Sequence, residues 1–163
     1  MKADEILQNR EDMLANMDRR RALFGLFFAF GNKLQATGDS FYEEITCKQF
    51  FLLVCLGLFQ DENPTLGQLA ALMGSSHQNV KQLAGRLEKA GYVRFIPDGE
   101  DKRKTRVMPA PRIQEFAERY QKKEEVFLEG LFSGLEEQEI EETYQVLLHL
   151  EKNLEEWNDR QNK

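Results

Sequence analysis

Cysteine is scarce: Cys47 and Cys55 are the only two in 163 residues, too few for the disulfide scaffold of a small secreted domain. Long apolar runs are missing as well. The longest, Phe50 to Phe59, is about half of the roughly 20 residues that a membrane-spanning helix needs. The opening residues Met1-Lys2-Ala3-Asp4-Glu5 lack the basic-then-apolar layout of a secretory signal, so a cytoplasmic chain is expected. There is no phosphate-cradling glycine loop and no nucleophile beside a base motif. His77 and His149 stand too far from each other and from the cysteines for a zinc spacing. No enzyme, no metal and no cofactor are expected.

Positive charge is also short overall, with a net charge of −6, which at first argues against a polyanionic partner. Its distribution reverses that. Residues 74–106 hold eight Lys or Arg against four Asp or Glu, a net +4, so the remainder carries −10. A basic module on an acidic body is what a chain that docks on nucleic acid would show.

What is present reads as helices with one hairpin. An amphipathic arm over 2–17 has Ile6, Leu7, Leu14 and Met17 as sparse apolar positions, and Asp18 can cap a second helix to about Gln35. That helix is apolar on more than one face and is expected to be buried on several sides. Residues 36–45 read as a loop, with Gly38, Asp39 and Ser40 as breakers. Four later helix starts carry a capping-box pattern: Thr46 with Gln49, Thr65 with Gln68, Ser75 with Gln78, and Ser133 with Glu136. Pro111 suits the first turn of a further helix. Helices are therefore expected at about 46–60, 65–73, 75–90, 111–131 and 135–158. Val93 to Ile96 and Thr105 to Met108 flank a Pro/Asp/Gly turn and read as a β-hairpin.

The sharpest pattern spans Leu66 to Leu87. Ala70 is small where two helices cross, and Gly74 suits a turn that needs positive φ. Val80, Leu83, Ala84 and Leu87 recur at helical spacing as an inward face. Opposite them fall Gln78, Gln82 and Gly85, flanked by Lys81 and Arg86. Amide side chains can pair with adenine, and cations suit guanine or phosphate. Ser75, Ser76 and the first amides of this helix are natural phosphate contacts, with His77 toward a flank. The hairpin tip adds Lys102, Arg103 and Lys104, where an arginine can enter a minor groove and Asp101 can orient it. The plainer reading of each feature is a solvated helix and an exposed polar turn.

The order of elements, the run Leu87-Glu88-Lys89-Ala90-Gly91-Tyr92-Val93 and Asp101-Lys102-Arg103 in the wing resemble the MarR family of bacterial regulators. The similarity runs from about Arg19 to Leu154. It implies a mainly α fold with a small β-hairpin wing: an N-terminal arm and dimerization helix over 1–45, a winged helix-turn-helix DNA-binding lobe over 46–110, and C-terminal dimerization helices over 111–163. It further implies a homodimer on a pseudo-palindromic operator in double-stranded DNA, acting as a repressor released by a small-molecule effector or an oxidant. The terminal helices, with Leu147, Leu150, Leu154 and Trp157, would join the protomers. One departure is Met108-Pro109-Ala110-Pro111, where the family carries a Leu-Thr pair, so a stiffer or differently angled joint is expected there.

Lesser features stay open on sequence grounds. Cys47 sits near a helix N-terminus, an environment that lowers a thiol pKa, so it reads as an oxidant sensor or as a small packing residue. Phe24, Phe28 and Phe51 read as the lining of an effector pocket or as plain core. Arg19, Arg20 and Arg21 read as phosphate contacts or as a solvated helix start. The rival to DNA binding is a winged-helix scaffold that binds a protein partner without specific DNA recognition.

Overall fold

Residues 14–60 and 62–161 are described here from a computed structural model; most of the expected arm over 2–17 lies outside them. The chain divides into two compact units, one up to Ile113 and one from Gln114. Six helices lie within the described residues: α1 (Arg19–Phe41), α2 (Cys47–Gly57), α3 (Leu66–Leu72), α4 (His77–Lys89), α5 (Arg112–Leu131) and α6 (Glu137–Gln161). A hairpin of β1 (Val93–Pro97) and β2 (Thr105–Pro109) stands between α4 and α5.

The Asp18 carboxylate caps α1 as expected, accepting from the backbone N–H of Arg20 and Arg21. The expected loop over 36–45 is corrected, because α1 continues through Gly38, Asp39 and Ser40 to Phe41. Each of those residues has a reason to be helical here. A Cβ at position 38 would overlap the Cys47 side chain, so only glycine permits the approach. Asp39 Oδ1 accepts from the Cys47 N–H at 2.7 Å, and Ser40 Oγ donates to the Thr37 carbonyl at 2.8 Å. Close packing between α1 and the start of α2 has outweighed the local breaker signal. The expectation that α1 is buried on several sides is corrected too. Among its residues only Ala22 is buried, and Phe24 and Phe28 are 66% and 63% exposed.

The capping boxes at Thr46/Gln49 and Thr65/Gln68 form in both directions. Behind them the apolar positions converge into one core. Leu52, Leu53, Cys55 and Leu56 of α2 are buried with Leu66, Leu69 and Ala70 of α3. The inward face read for α4 is the observed one: Val80, Leu83, Ala84 and Leu87 are buried. Leu69, Val80, Leu87 and Val107 have no exposed surface, and burying each contributes about 1.5–3 kcal/mol before entropy is counted. Gly74 turns the chain between α3 and α4 with φ +58, the left-handed region that favours glycine.

β1 and β2 pair antiparallel, with Phe95 opposite Val107 and Val93 opposite Pro109. The hairpin is fastened to the helices at its base. Val107 N–H donates to the Pro64 carbonyl at 2.8 Å, and Thr65 pairs with Arg106 in a single antiparallel bridge.

In the second unit, Phe116 and Tyr120 of α5 are buried, whereas α6 buries nothing. The expected Ser133/Glu136 capping box is corrected. Gly134 takes φ +83, α6 begins at Glu137, and Glu139 Oε2 accepts from the Glu136 N–H at 2.8 Å. The cap position thus moves three residues on, from Ser133 to Glu136, while the Ser133 N–H donates to the Gly130 carbonyl at the end of α5. Leu147, Leu150, Leu154 and Trp157 recur at steps of three and four on α6, the period of a helix-packing seam, and all are exposed.

Candidate nucleic-acid interface

The start of α4 differs from the sequence expectation by one residue. Ser75 N–H is still engaged in closing the turn on the Ala70 carbonyl at 2.9 Å, so the cap passes to Ser76. Its Oγ accepts from the Asn79 N–H at 3.2 Å, and Asn79 Nδ2 donates to Ser75 Oγ at 2.9 Å. The expected Ser75/Gln78 box does not form. Asn79 therefore organises the helix start, and the Gln78 side chain makes no hydrogen bond among the described residues. With Val80, Leu83, Ala84 and Leu87 locked inward, Gln78, Lys81, Gln82 and Arg86 all stand exposed on the other side. Such a helix presents amides and cations with its orientation set by the core beneath.

The wing is organised by two aspartates with different duties. Asp98 is almost fully buried. Its Oδ1 accepts from the N–H groups of Asp101 at 2.7 Å and Glu100 at 2.9 Å, and its Oδ2 accepts from Arg106 Nε. The N–H of Asp101, then that of Glu100, then Arg106 hold the carboxyl well below the usual carboxylate range, at about 2, against the smaller opposing effect of burial. Arg106 continues the chain of contacts, donating from Nη1 to the Asn63 carbonyl at 2.7 Å. The turn of the wing is thereby tied to the lead-in of α3. In the sequence Asp98 shows as part of the Pro/Asp/Gly turn and Arg106 as part of the second strand, without the contact between them. The signal was there, since Asp before Gly in a turn commonly accepts from amides two and three residues on.

Asp101 does what the sequence suggested. Its Oδ1 accepts from both the N–H and the Nε of Arg103 at 3.1 Å, and Lys104 Nζ lies at 3.9 Å. These contacts, the Arg103 side chain first, lower the Asp101 pKa. Arg103 remains 91% exposed, so it is oriented without being consumed. Lys102 and Lys104 are exposed beside it. Between the wing and α4 lies a groove of about 260 Å³, lined by His77 and Lys81 from α4, by Arg103 and Lys104 from the wing, and by Thr65 and Leu66 at the start of α3.

A second constellation was not read from sequence, because its members lie 48 and 68 residues apart. Tyr92 Oη donates to Glu44 Oε2 at 2.6 Å, and Arg112 Nη2 donates to the same oxygen at 3.0 Å. Arg112 also covers the Tyr92 ring at 4.7 Å and donates from Nη1 to the Ala90 carbonyl at 2.7 Å. Ala110 N–H reaches the Tyr92 carbonyl at 2.9 Å. The Met108-Pro109-Ala110-Pro111 joint is held by these contacts.

The remaining site expectations separate. Cys47 is half-buried, and burial, then Asp39, raises its thiol pKa while Lys48 acts weakly the other way. The expected lowering at a helix N-terminus is thus corrected. Desolvation comes first, and Asp39, whose carboxylate accepts from the Cys47 N–H, adds to it. Cys55 is buried core. Phe24 and Phe28 meet edge to face at 5.1 Å, and with Phe51 they stand exposed rather than in the core of this chain.

Comparison with known proteins agrees with this geometry. Residues 45–104 match the model of the MarR family. The transcriptional activatory protein BadR of Rhodopseudomonas palustris is 33% identical over 92 residues, covering 55% of this chain and 53% of BadR; the match thus spans about half the length of that relative. Among solved structures, a MarR protein from Peptoclostridium difficile superposes with a TM-score of 0.72 at 20% identity, covering 82% of this chain and 88% of the other. The S. aureus MepR–DNA complex gives 0.71 at 21% identity, covering 79% and 95%. PcaV of Streptomyces coelicolor, solved with its natural ligand, gives 0.68 at 15% identity, covering 85% and 94%. Residues 45–104 are thus similar in sequence to the MarR family, and most of the chain shares the fold of MarR proteins of known structure.

Proposed function

We propose that the chain is a sequence-specific DNA-binding transcription regulator that works as a homodimer. The observation that carries this reading is the exposed set Gln78, Lys81, Gln82 and Arg86, backed by a fully buried face and set beside a wing whose arginine is oriented by Asp101. Gln78 and Gln82 read base edges in a major groove, Lys81, Arg86 and Lys102 to Lys104 supply salt-sensitive affinity, and Arg103 enters the adjoining minor groove. The DNA complex of MepR supports the same use of the fold.

Dimerization follows from uncovered apolar surface. Phe24 and Phe28 on α1, and Leu147, Leu150, Leu154 and Trp157 on α6, are exposed in a single chain, and surface of this kind marks an association site. A second copy would set two recognition helices about one turn of DNA apart. The direction we propose is repression relieved by a small-molecule effector, because a dimer seated on a promoter blocks polymerase without further contacts. BadR, by its name, acts in the other direction. The aromatic faces of Phe24, Phe28 and Phe51 are the effector surface in this reading, and PcaV with its ligand supports a small molecule as the signal. Cys47 is not assigned to the signal, since burial and Asp39 raise its thiol pKa and disfavour the thiolate.

The overall charge of −6 favours the rival reading, a scaffold for a protein partner. Gln82→Ala separates the two. A bidentate base contact predicts a relaxed preference of about 1–3 kcal/mol at one base pair per half-site. Equal losses on every sequence would reduce Gln82 to a positioning residue, and no duplex binding by the parent chain would favour the scaffold.

A further inference from the structure

The groove between α4 and the wing has an unusual wall. Three of its side chains, Lys81, Arg103 and Lys104, carry fixed positive charge near neutral pH, and the fourth is His77. His77 and Lys81 lie one helical turn apart on the same face of α4. The lining contributed by the start of α3, Thr65 and Leu66, brings no charge. Asp101, the acid of the adjoining wing turn, is occupied by Arg103 and Lys104. His77 and Lys81 have no carboxylate partner among the described residues. The groove is thus a cationic slot walled by the recognition helix on one side and by the wing on the other.

We propose that this slot seats one backbone phosphate of duplex DNA, shared by recognition helix and wing, and that His77 takes up a proton as the phosphate enters. The inference rests on the DNA-binding reading above. The strand that separates a major groove from the neighbouring minor groove must pass between an element in each, so a phosphate is the DNA group that meets this slot. A phosphate placed beside the His77 ring brings a negative charge that favours the protonated form. Histidine is the side chain whose charge changes near physiological pH. Binding therefore draws a proton from solution onto His77, and DNA affinity rises as pH falls. His149, the other histidine of the sequence, lies on α6 and does not line the slot.

The test uses the full chain and a mixed-sequence duplex of about three helical turns at low salt, since a phosphate contact needs no particular operator. Affinity is measured from pH 8 to pH 5.5 for the parent, His77→Gln, His77→Lys and His149→Gln. The parent and His149→Gln should gain roughly tenfold on acidification, about the worth of one charged contact. His77→Gln should change by less than about twofold, and His77→Lys should hold the acid-side affinity at every pH. His77 is exposed at the first position of its helix, so these variants leave the core untouched. A His77→Gln profile that follows the parent overturns the proton-linked phosphate while DNA binding itself stands. Failure of the parent to hold the duplex at any pH removes the DNA-binding reading and this inference together.

Discussion

Arg106 links two places that sequence alone keeps apart: its Nε closes on the buried Asp98 carboxylate while its Nη1 donates to the Asn63 carbonyl, 43 residues away. Asp98 in turn receives the N–H groups of Glu100 and Asp101. The conformation of the wing turn therefore depends on one ionised carboxyl, and Arg106 couples it to the backbone contacts that hold β2 against the lead-in of α3. The Arg103 that the wing presents is oriented by the next aspartate along the same turn.

That dependence sets a pH window. The Asp98 pKa is lowered from 3.8 to about 2, so the folded state binds this proton less readily than the unfolded chain does. The stabilisation is complete above the unfolded value and is lost as pH falls through the folded one. Asp98→Asn should lower the melting temperature at pH 7, and the gap from the parent should close between about pH 4 and pH 2. The variant should also bind duplex DNA less well at neutral pH. Equal melting temperatures at pH 7 would mean that Asp98 does not hold the wing.

The approach of α1 to α2 at Gly38 predicts a steric cost. Gly38→Ala forces a methyl group onto the Cys47 side chain and should cost about 1–3 kcal/mol in urea unfolding, the usual penalty of overpacking. Gly85→Ala, which meets open space on α4, should instead gain up to about 1 kcal/mol from helix propensity. Similar effects at both sites would contradict the packing described for Gly38.

Arg103→Ala should weaken binding on all duplexes alike and reduce the slope of log affinity against log salt by about 1. An unchanged slope would take the wing out of the interface.

The apolar seam of α6 predicts assembly. Sedimentation of the parent should give twice the 19.0 kDa chain mass, and Leu154→Glu, at a position 64% exposed in one chain, should shift the equilibrium toward monomer. A parent that sediments as a monomer at micromolar concentration would leave the seam unexplained.

The sequence reading succeeded where one local signal met no competitor. Thr46 and Thr65 each have a glutamine three residues on and no adjacent alternative cap, and both boxes form. It failed by a residue at Ser75, where Ser76 with Asn79 offers an equivalent cap and the turn claims the Ser75 N–H. Position 38 was misread because glycine signals both a breaker and a close approach, and only Cys47, nine residues on, decides which applies. The phenylalanines of α1 were expected inside because periodicity marks a surface that must be covered. It does not say whether the same chain covers it. In the wing, Lys102, Arg103 and Lys104 were legible as a cationic tip, whereas Asp98, Arg106 and the Glu44–Tyr92–Arg112 cluster depend on contacts across the fold. A charge count or a period does not contain those contacts.

The most direct test of the central claim is selection of bound sequences from a random duplex pool by the purified chain near physiological salt. The account predicts enrichment of an inverted repeat with half-sites about 10 base pairs apart, as two recognition helices in a symmetric dimer require. Retention of duplexes without any enriched sequence, or no retention at all, would contradict it.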